Sequence, residues 1–215
     1  ILFEGAQGAM LDIDHGTFPF VTSSNPSIGG AITGSGVPPR WLGDVVGIFK
    51  AYCTRVGNGP FPSEPTAAMG EMLRQKGAEF GATTGRPRRC GWFDLPAARY
   101  AVQINGITKL AMTKLDVLSG LDEIGVCTGY KVGDELHERF PRDAGLLDRA
   151  EPVVETLPGW NEDLSEVRCW EDLPENARRY MVYLSEQLGV ELGWVGVGPD
   201  RKQILTPPAD EAATA

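Results

Sequence analysis

Apolar positions change period several times along the 215 residues, and each change marks an element. Residues 66–76 place Met69, Met72 and Leu73 at helical spacing, with Gly77 following as a C-terminal stop. Residues 97–104 read as a second helix, with Pro96 in its first turn, where a missing N–H costs nothing. Residues 173–188 carry a clear amphipathic stripe of Ala177, Tyr180, Met181 and Leu184, ended by Gly189. That stripe reads as core rather than interface. Strand patterns follow at 123–132, 151–157 and 190–197, and another apolar strand starts at 109 and runs into Thr113-Lys114-Leu115-Asp116. Turn chemistry separates them at Gly133-Asp134-Glu135, Pro158-Gly159-Trp160 and Gly198-Pro199-Asp200-Arg201. The stretch from the turn at 133–135 through Arg149 is polar with little period.

The first quarter is less regular. Residues 1–4 are an apolar run ending at Gly5, which predicts a buried strand with Gln7 just beyond its C-terminal end. Residues 18–25 read as extended. The glycines at 29, 30, 34 and 36 predict a flexible loop over 28–36, without the GxxxxGK[ST] pattern of a phosphate loop. Pro38-Pro39 predicts a helix through Trp41, Val45, Val46 and Phe49. Residues 50–57 alternate like a strand, and Gly59-Pro60-Phe61-Pro62 closes it as a rigid loop.

Composition narrows the classes. Hydrophobic content of 42% and charged content of 23% are ordinary for a soluble globular domain. With 27 glycines and 16 prolines, many tight turns are expected. A net charge of -9 argues against a general nucleic-acid binder, though it leaves room for a local basic pocket. No apolar run is long enough to span a bilayer. The start has no basic n-region, no cleavage site and no initiator Met, and reads like the middle of a strand, so a fragment of a longer protein is expected. Cys53, Cys90, Cys127 and Cys169 form no CxxC pair, so reduced thiols in the cytoplasm are expected. His15 and His137, the two histidines, are too few for a histidine-rich metal site.

Candidate chemistry concentrates in three places. Gly81-Ala82-Thr83-Thr84-Gly85-Arg86-Pro87-Arg88-Arg89 sets three arginines in an acidic chain, behind two threonine hydroxyls. Guanidinium forks and hydroxyls suit phosphate or carboxylate oxygens, and the glycines let the backbone approach a ligand. A solvated basic turn is the competing reading. Thr113-Lys114-Leu115-Asp116 follows the logic of the Asn-Lys-x-Asp motif of GTP-binding proteins. A carboxylate there accepts from guanine N1–H and the 2-amino group, neither of which adenine offers, while the lysine stem lies over the purine face. A strand-end turn with solvated Lys and Asp is the alternative. Asp12-Ile13-Asp14-His15 allows a metal or acid/base site, but Asp in this context favours an Asx turn.

These blocks are similar to one family. Gly5-Ala6-Gln7-Gly8, Leu11 to Asn25, Gly81 to Trp92, Thr113 to Asp116 and Gly198 to Arg201 occur in the order and spacing of adenylosuccinate synthetases, over nearly the whole chain. The chain resembles the C-terminal half of such an enzyme, as one domain portion over 1–208 with a disordered tail over 209–215. The resemblance implies an α/β fold with a mixed, largely parallel central sheet flanked by helices, like GTP-binding proteins. It implies GTP-dependent ligation of IMP and L-aspartate to adenylosuccinate, with Mg²⁺, in a cytoplasmic homodimer without nucleic-acid or membrane partners. Gln7 and Thr22 correspond to IMP contacts, and Val56 lies near the same substrates. Thr83, Thr84 and Arg86 fall in the aspartate-binding loop, with Arg86 also reaching the nucleotide. Arg88 matches a GTP-binding arginine. Lys114, Leu115 and Asp116 match the guanine site, which Gly196, Val197 and Gly198 close. Pro87 stands where the family usually has arginine, and Gly196 where serine is common. The resemblance puts the catalytic base, the catalytic acid and the Mg²⁺ ligands in the other half, leaving no catalytic residue in this chain. The alternative is a guanine-nucleotide-binding module without ligase activity.

Overall fold

A computed structural model describes residues 1–81 and 85–209. In chain order it contains α1 (Ile28–Ser35), β1 (Val46–Lys50), β2 (Cys53–Arg55), α2 (Ala67–Lys76), β3 (Arg89–Gly91), β4 (Phe93–Asp94) and α3 (Leu95–Asn105). There follow β5 (Lys109–Thr113), β6 (Leu121–Val132), β7 (Glu135–His137), α4 (Ala144–Leu147), β8 (Glu151–Trp160), α5 (Glu175–Leu188), β9 (Glu191–Gly196) and β10 (Ile204–Leu205).

The strands form two four-stranded sheets and a ribbon. In the first sheet, β1, β5 and β9 run parallel in that order, and β10 adds antiparallel to β9. In the second, β6 pairs parallel with β4 and antiparallel with β7 and β8. β2 and β3 form the antiparallel ribbon. The architecture is therefore α/β, with parallel strands flanked by helices.

Side-chain alternation decides which face of the first sheet is buried. Leu110, Met112, Leu192 and Val195 point into a core shared with Leu73, Phe93, Ile124, Trp170 and Leu184. α5 buries Ala177, Tyr180, Met181, Leu184 and Leu188 and ends at Gly189 with φ 64°, which glycine adopts without a Cβ clash. The Tyr180 hydroxyl, fully buried, donates to the Ala51 carbonyl at 2.7 Å. α3 starts where the Asp94 carboxylate accepts from Ala97 N–H at 3.0 Å. The same carboxylate accepts from the Tyr130 hydroxyl, and burial pushes it up to about 6.

Five expectations fail. Residues 1–4 form no strand, and Ile1, Leu2 and Phe3 are exposed, because no strand edge among the described residues pairs with them. Residues 28–35 are helical despite their glycines. Asn105 Oδ1 accepts from Ile28 N–H at 2.8 Å, and Gly30 lies so close to Asn25 that a Cβ would sit 1.9 Å from its carbonyl oxygen. The helix expected over 38–49 shrinks to a 3-10 turn at Pro39–Trp41, since β5 recruits Val46 to Lys50 into the sheet. The polar stretch before 149 contains β7 and α4. β8 also continues through Pro158 to Trp160; paired only with β6 among the described strands, it is an edge strand, where proline is tolerated.

Candidate functional site

The first sheet aims two chain segments at the same place. β5 ends at Thr113, whose hydroxyl donates to the Phe49 carbonyl at 2.9 Å and ties it to the end of β1. Lys114 then takes a left-handed backbone, φ 61°, and starts a 3-10 turn over Leu115–Leu118. Leu115 is fully buried and anchors that turn, so Asp116 is presented beyond the strand end. β9 ends alongside. A Cβ on Gly196 would sit 3.5 Å from Thr113 Cα, so the two backbones pass in contact. Val197 is buried and its N–H donates to the Gln203 carbonyl at 2.9 Å, while the Gln203 amide covers Gly198. Lys114, Leu115, Asp116 and residues 196–198 thus converge at the carboxyl ends of parallel strands, where open α/β sheets bind ligands.

Asp116 is the chemical signal here. Its Oδ1 is buried and has no hydrogen-bond partner among the described residues. Burial pushes its carboxyl upward, and the charges of Lys114 and Lys76 oppose that shift. An unpaired buried acceptor costs free energy until a donor reaches it.

A second centre adjoins the first. Glu79 is fully buried at the base of the arginine-rich loop and accepts from Lys50 Nζ at 2.9 and 3.0 Å, the Tyr52 hydroxyl at 2.6 Å and an Arg88 guanidinium nitrogen at 2.7 Å. Lys114 Nζ lies 3.2 Å away and donates to the Gly77 carbonyl at 2.6 Å. Burial alone would raise the Glu79 carboxyl. Hydrogen bonds from Tyr52, Lys50 and Arg88 outweigh it and hold the group at about 2. Gly77 must lack a side chain, because a Cβ there would meet the Tyr52 hydroxyl at 2.2 Å.

The loop is closed at its base. Arg88 N–H donates to the Glu79 carbonyl at 2.9 Å, Gly81 N–H to Arg86 at 2.8 Å, and Phe80 pairs with Pro87. Arg86 is exposed; Thr83 and Thr84 lie outside the described residues. On the other flank, Arg55 donates to the Phe20 carbonyl at 3.1 Å and to the Asn58 carbonyl at 3.1 Å, bringing the segment that holds Thr22 towards exposed Val56. Gln7 is exposed with a left-handed backbone, φ 64°, rather than at a strand end. Asp12 makes the expected turn: Oδ1 accepts from Asp14 and His15 N–H, and Oδ2 from Ser27 N–H at 3.1 Å. A cavity of about 560 Å³ lies beside Pro60, Phe61, Arg74, Arg89 and Leu147; of the arginine-rich loop, Arg89 lines it.

The sequence reading missed Glu79, Lys50 and Tyr52. One clue was available: a single glutamate two positions before an arginine-rich loop. Arg88 lies in that loop, but Lys50 and Lys114 come from the ends of β1 and β5, which spacing does not reveal.

The family model for adenylosuccinate synthetase matches residues 1–205. This chain belongs to the adenylosuccinate synthetase family. It is 58% identical over 205 residues to adenylosuccinate synthetase of Halothermothrix orenii, covering 95% of this chain and 48% of that protein. It is 55% identical over 206 residues to the Salinibacter ruber protein of the same name, covering 96% and 47%. A solved structure of fully ligated adenylosuccinate synthetase from Plasmodium falciparum superimposes with a TM-score of 0.91 at 45% identity, covering 95% of this chain and 49% of that one. The chain therefore spans about half the length of the relatives it matches.

Proposed function

We propose that this chain is the guanine-nucleotide- and substrate-binding portion of an enzyme that ligates IMP and L-aspartate at the expense of GTP, forming adenylosuccinate for purine synthesis. The observation that carries the nucleotide half is the partnerless buried Oδ1 of Asp116, on the turn that follows Lys114, with Gly196 packed against Thr113 at the same strand end. In this reading guanine N1–H and the 2-amino group donate to Asp116, and the Lys114 stem lies along the base. Leu115 holds the turn, residues 196–198 close the far side, and Arg88 turns its guanidinium to the phosphates. Thr83, Thr84 and Arg86 take the aspartate carboxylates, while Gln7, Thr22 and Val56 line the IMP side.

The chemistry divides accordingly. The 6-oxygen of IMP leaves poorly until GTP phosphorylates it, after which the aspartate amine displaces phosphate. These residues bind and orient, which lowers the entropic part of the barrier. Removing the N1 proton and offsetting phosphate charge need a base and Mg²⁺, and the reading assigns those groups to polypeptide outside this chain, within a homodimer. Family membership and the 0.91 superposition on a fully ligated relative support it.

Asp116→Asn tests the nucleotide half. Asparagine keeps an acceptor for N1–H but turns a donor toward the 2-position. GDP affinity should fall about tenfold or more, while affinity for xanthosine diphosphate, which carries a 2-oxygen, should rise. Calorimetric titration of both nucleotides reads the exchange, and equal GDP affinity in wild type and variant refutes the site. GDP titrations with and without IMP separate a substrate-coupled ligase portion from a module indifferent to IMP.

A further inference from the structure

One buried carboxylate serves three cations, two of which belong to the nucleotide site just described. Lys114 reaches Glu79 from the end of β5, Arg88 from the far side of the arginine-rich loop, and Lys50 from the end of β1. The backbone bends to allow it. Ala78 (φ 48°) and Lys114 (φ 61°) are non-glycine residues in the left-handed region, one beside Glu79 and the other carrying an ammonium partner. Such backbone strain persists where the surroundings impose it.

The consequence for Lys114 is specific. With its ammonium held between Glu79 and the Gly77 carbonyl, its aliphatic stem is tethered at both ends, at the backbone and at the ammonium. Arg88 is held doubly: its side chain by Glu79 carboxylate, its N–H by the Glu79 carbonyl, with its own carbonyl accepting from Arg74 Nε at 2.8 Å. We propose, building on the guanine-nucleotide reading, that Glu79 is the positioning residue of this site: it fixes the Lys114 stem for the base and joins it rigidly to Arg88 and the base of the anion-binding loop. Glu79 touches no ligand and acts through these two side chains. The residue thereby sets guanine affinity and links the guanine end of the site to the loop.

Glu79→Gln removes the charge while keeping the shape. Removing a negative charge also strengthens the local positive field, which favours any phosphate, so GDP alone is an ambiguous probe. Guanosine is uncharged and reads only the base platform. Guanosine affinity, followed by ligand NMR, should fall about tenfold in the variant, the scale of one charge-assisted hydrogen bond, with GDP losing less. Adenosine should be unaffected. Unchanged guanosine affinity in a folded variant overturns the proposal. Lysine-selective ¹⁵N NMR of the unliganded wild-type chain provides a test that requires no variant. The Lys114 ammonium should be motionally restricted, and a freely rotating one overturns the proposal. If wild type binds neither guanosine nor GDP, the nucleotide reading fails, and the lysine spectrum separately decides whether Glu79 holds Lys114.

Discussion

Two carboxylates near each other have opposite environments. Asp116 is buried without a donor on Oδ1 and is pushed upward by burial, whereas Glu79 has donors on both oxygens and sits at about 2. Their pH responses should therefore differ. Glu79 titrates near 4.5 unfolded and at about 2 folded, so its stabilisation is complete above the higher value and is lost as pH falls toward the lower. The shift corresponds to about 3 kcal/mol. Acid unfolding followed by circular dichroism should show this loss in wild type and a flatter profile for Glu79→Gln. Asp116 must be ionised to accept from guanine. GDP affinity should be full above its raised pKa and decline as the pH is stepped down through it. A pH-independent affinity would mean that Asp116 does not face the base. At this scale residue type and spacing marked Lys114, Asp116 and Arg88 as candidates. They did not show Glu79, because its place just before the arginine-rich loop does not reveal that Lys50, Tyr52 and Lys114 reach it from dozens of residues away.

Among the elements, legibility followed the source of stability. α2, α3 and α5 bury one stripe against a core, so their period is written in the chain, and the expected and observed spans agree closely. α1 is different. Its glycines weaken intrinsic propensity, and it depends on Asn105 accepting from Ile28 N–H and on Gly30 packing against Asn25. Asn105→Ala should thus loosen α1 specifically. Loss of that bond, about 1 kcal/mol, predicts roughly fivefold faster amide exchange across Ile28–Ser35, with α5 unchanged. β1 failed as a sequence reading for a related reason. Pro38-Pro39 suggested a helix start, while a parallel register with β5, absent from local sequence, selected the strand.

Across the whole molecule, the parallel sheet is covered on one face only. Register places Ile48, Ala111 and Trp194 in a row on the other face, with Ile204 beyond, and Ile48 is 73% exposed on an edge strand. Parallel sheets are ordinarily covered on both faces, and an open apolar edge invites pairing. The isolated chain should self-associate with rising concentration, and Ile48→Ser should shift sedimentation toward monomer without lowering its melting temperature appreciably. A wild-type chain that stays monomeric to high concentration would show that this face is harmless as exposed. The relatives are about twice as long as this chain.

By itself the sequence determined the amphipathic helices, the strand running into Thr113 and the turn at Asp12. These features depend on period and on side chains acting within a few residues. Tertiary structure alone decided that α1 exists, that Val46 to Lys50 is a strand, that residues 1–4 are not, and that Lys50, Tyr52, Arg88 and Lys114 meet on Glu79. Each of these depends on a partner far along the chain, and buried hydrogen bonds and charges take their strength from that partner rather than from their neighbours in sequence.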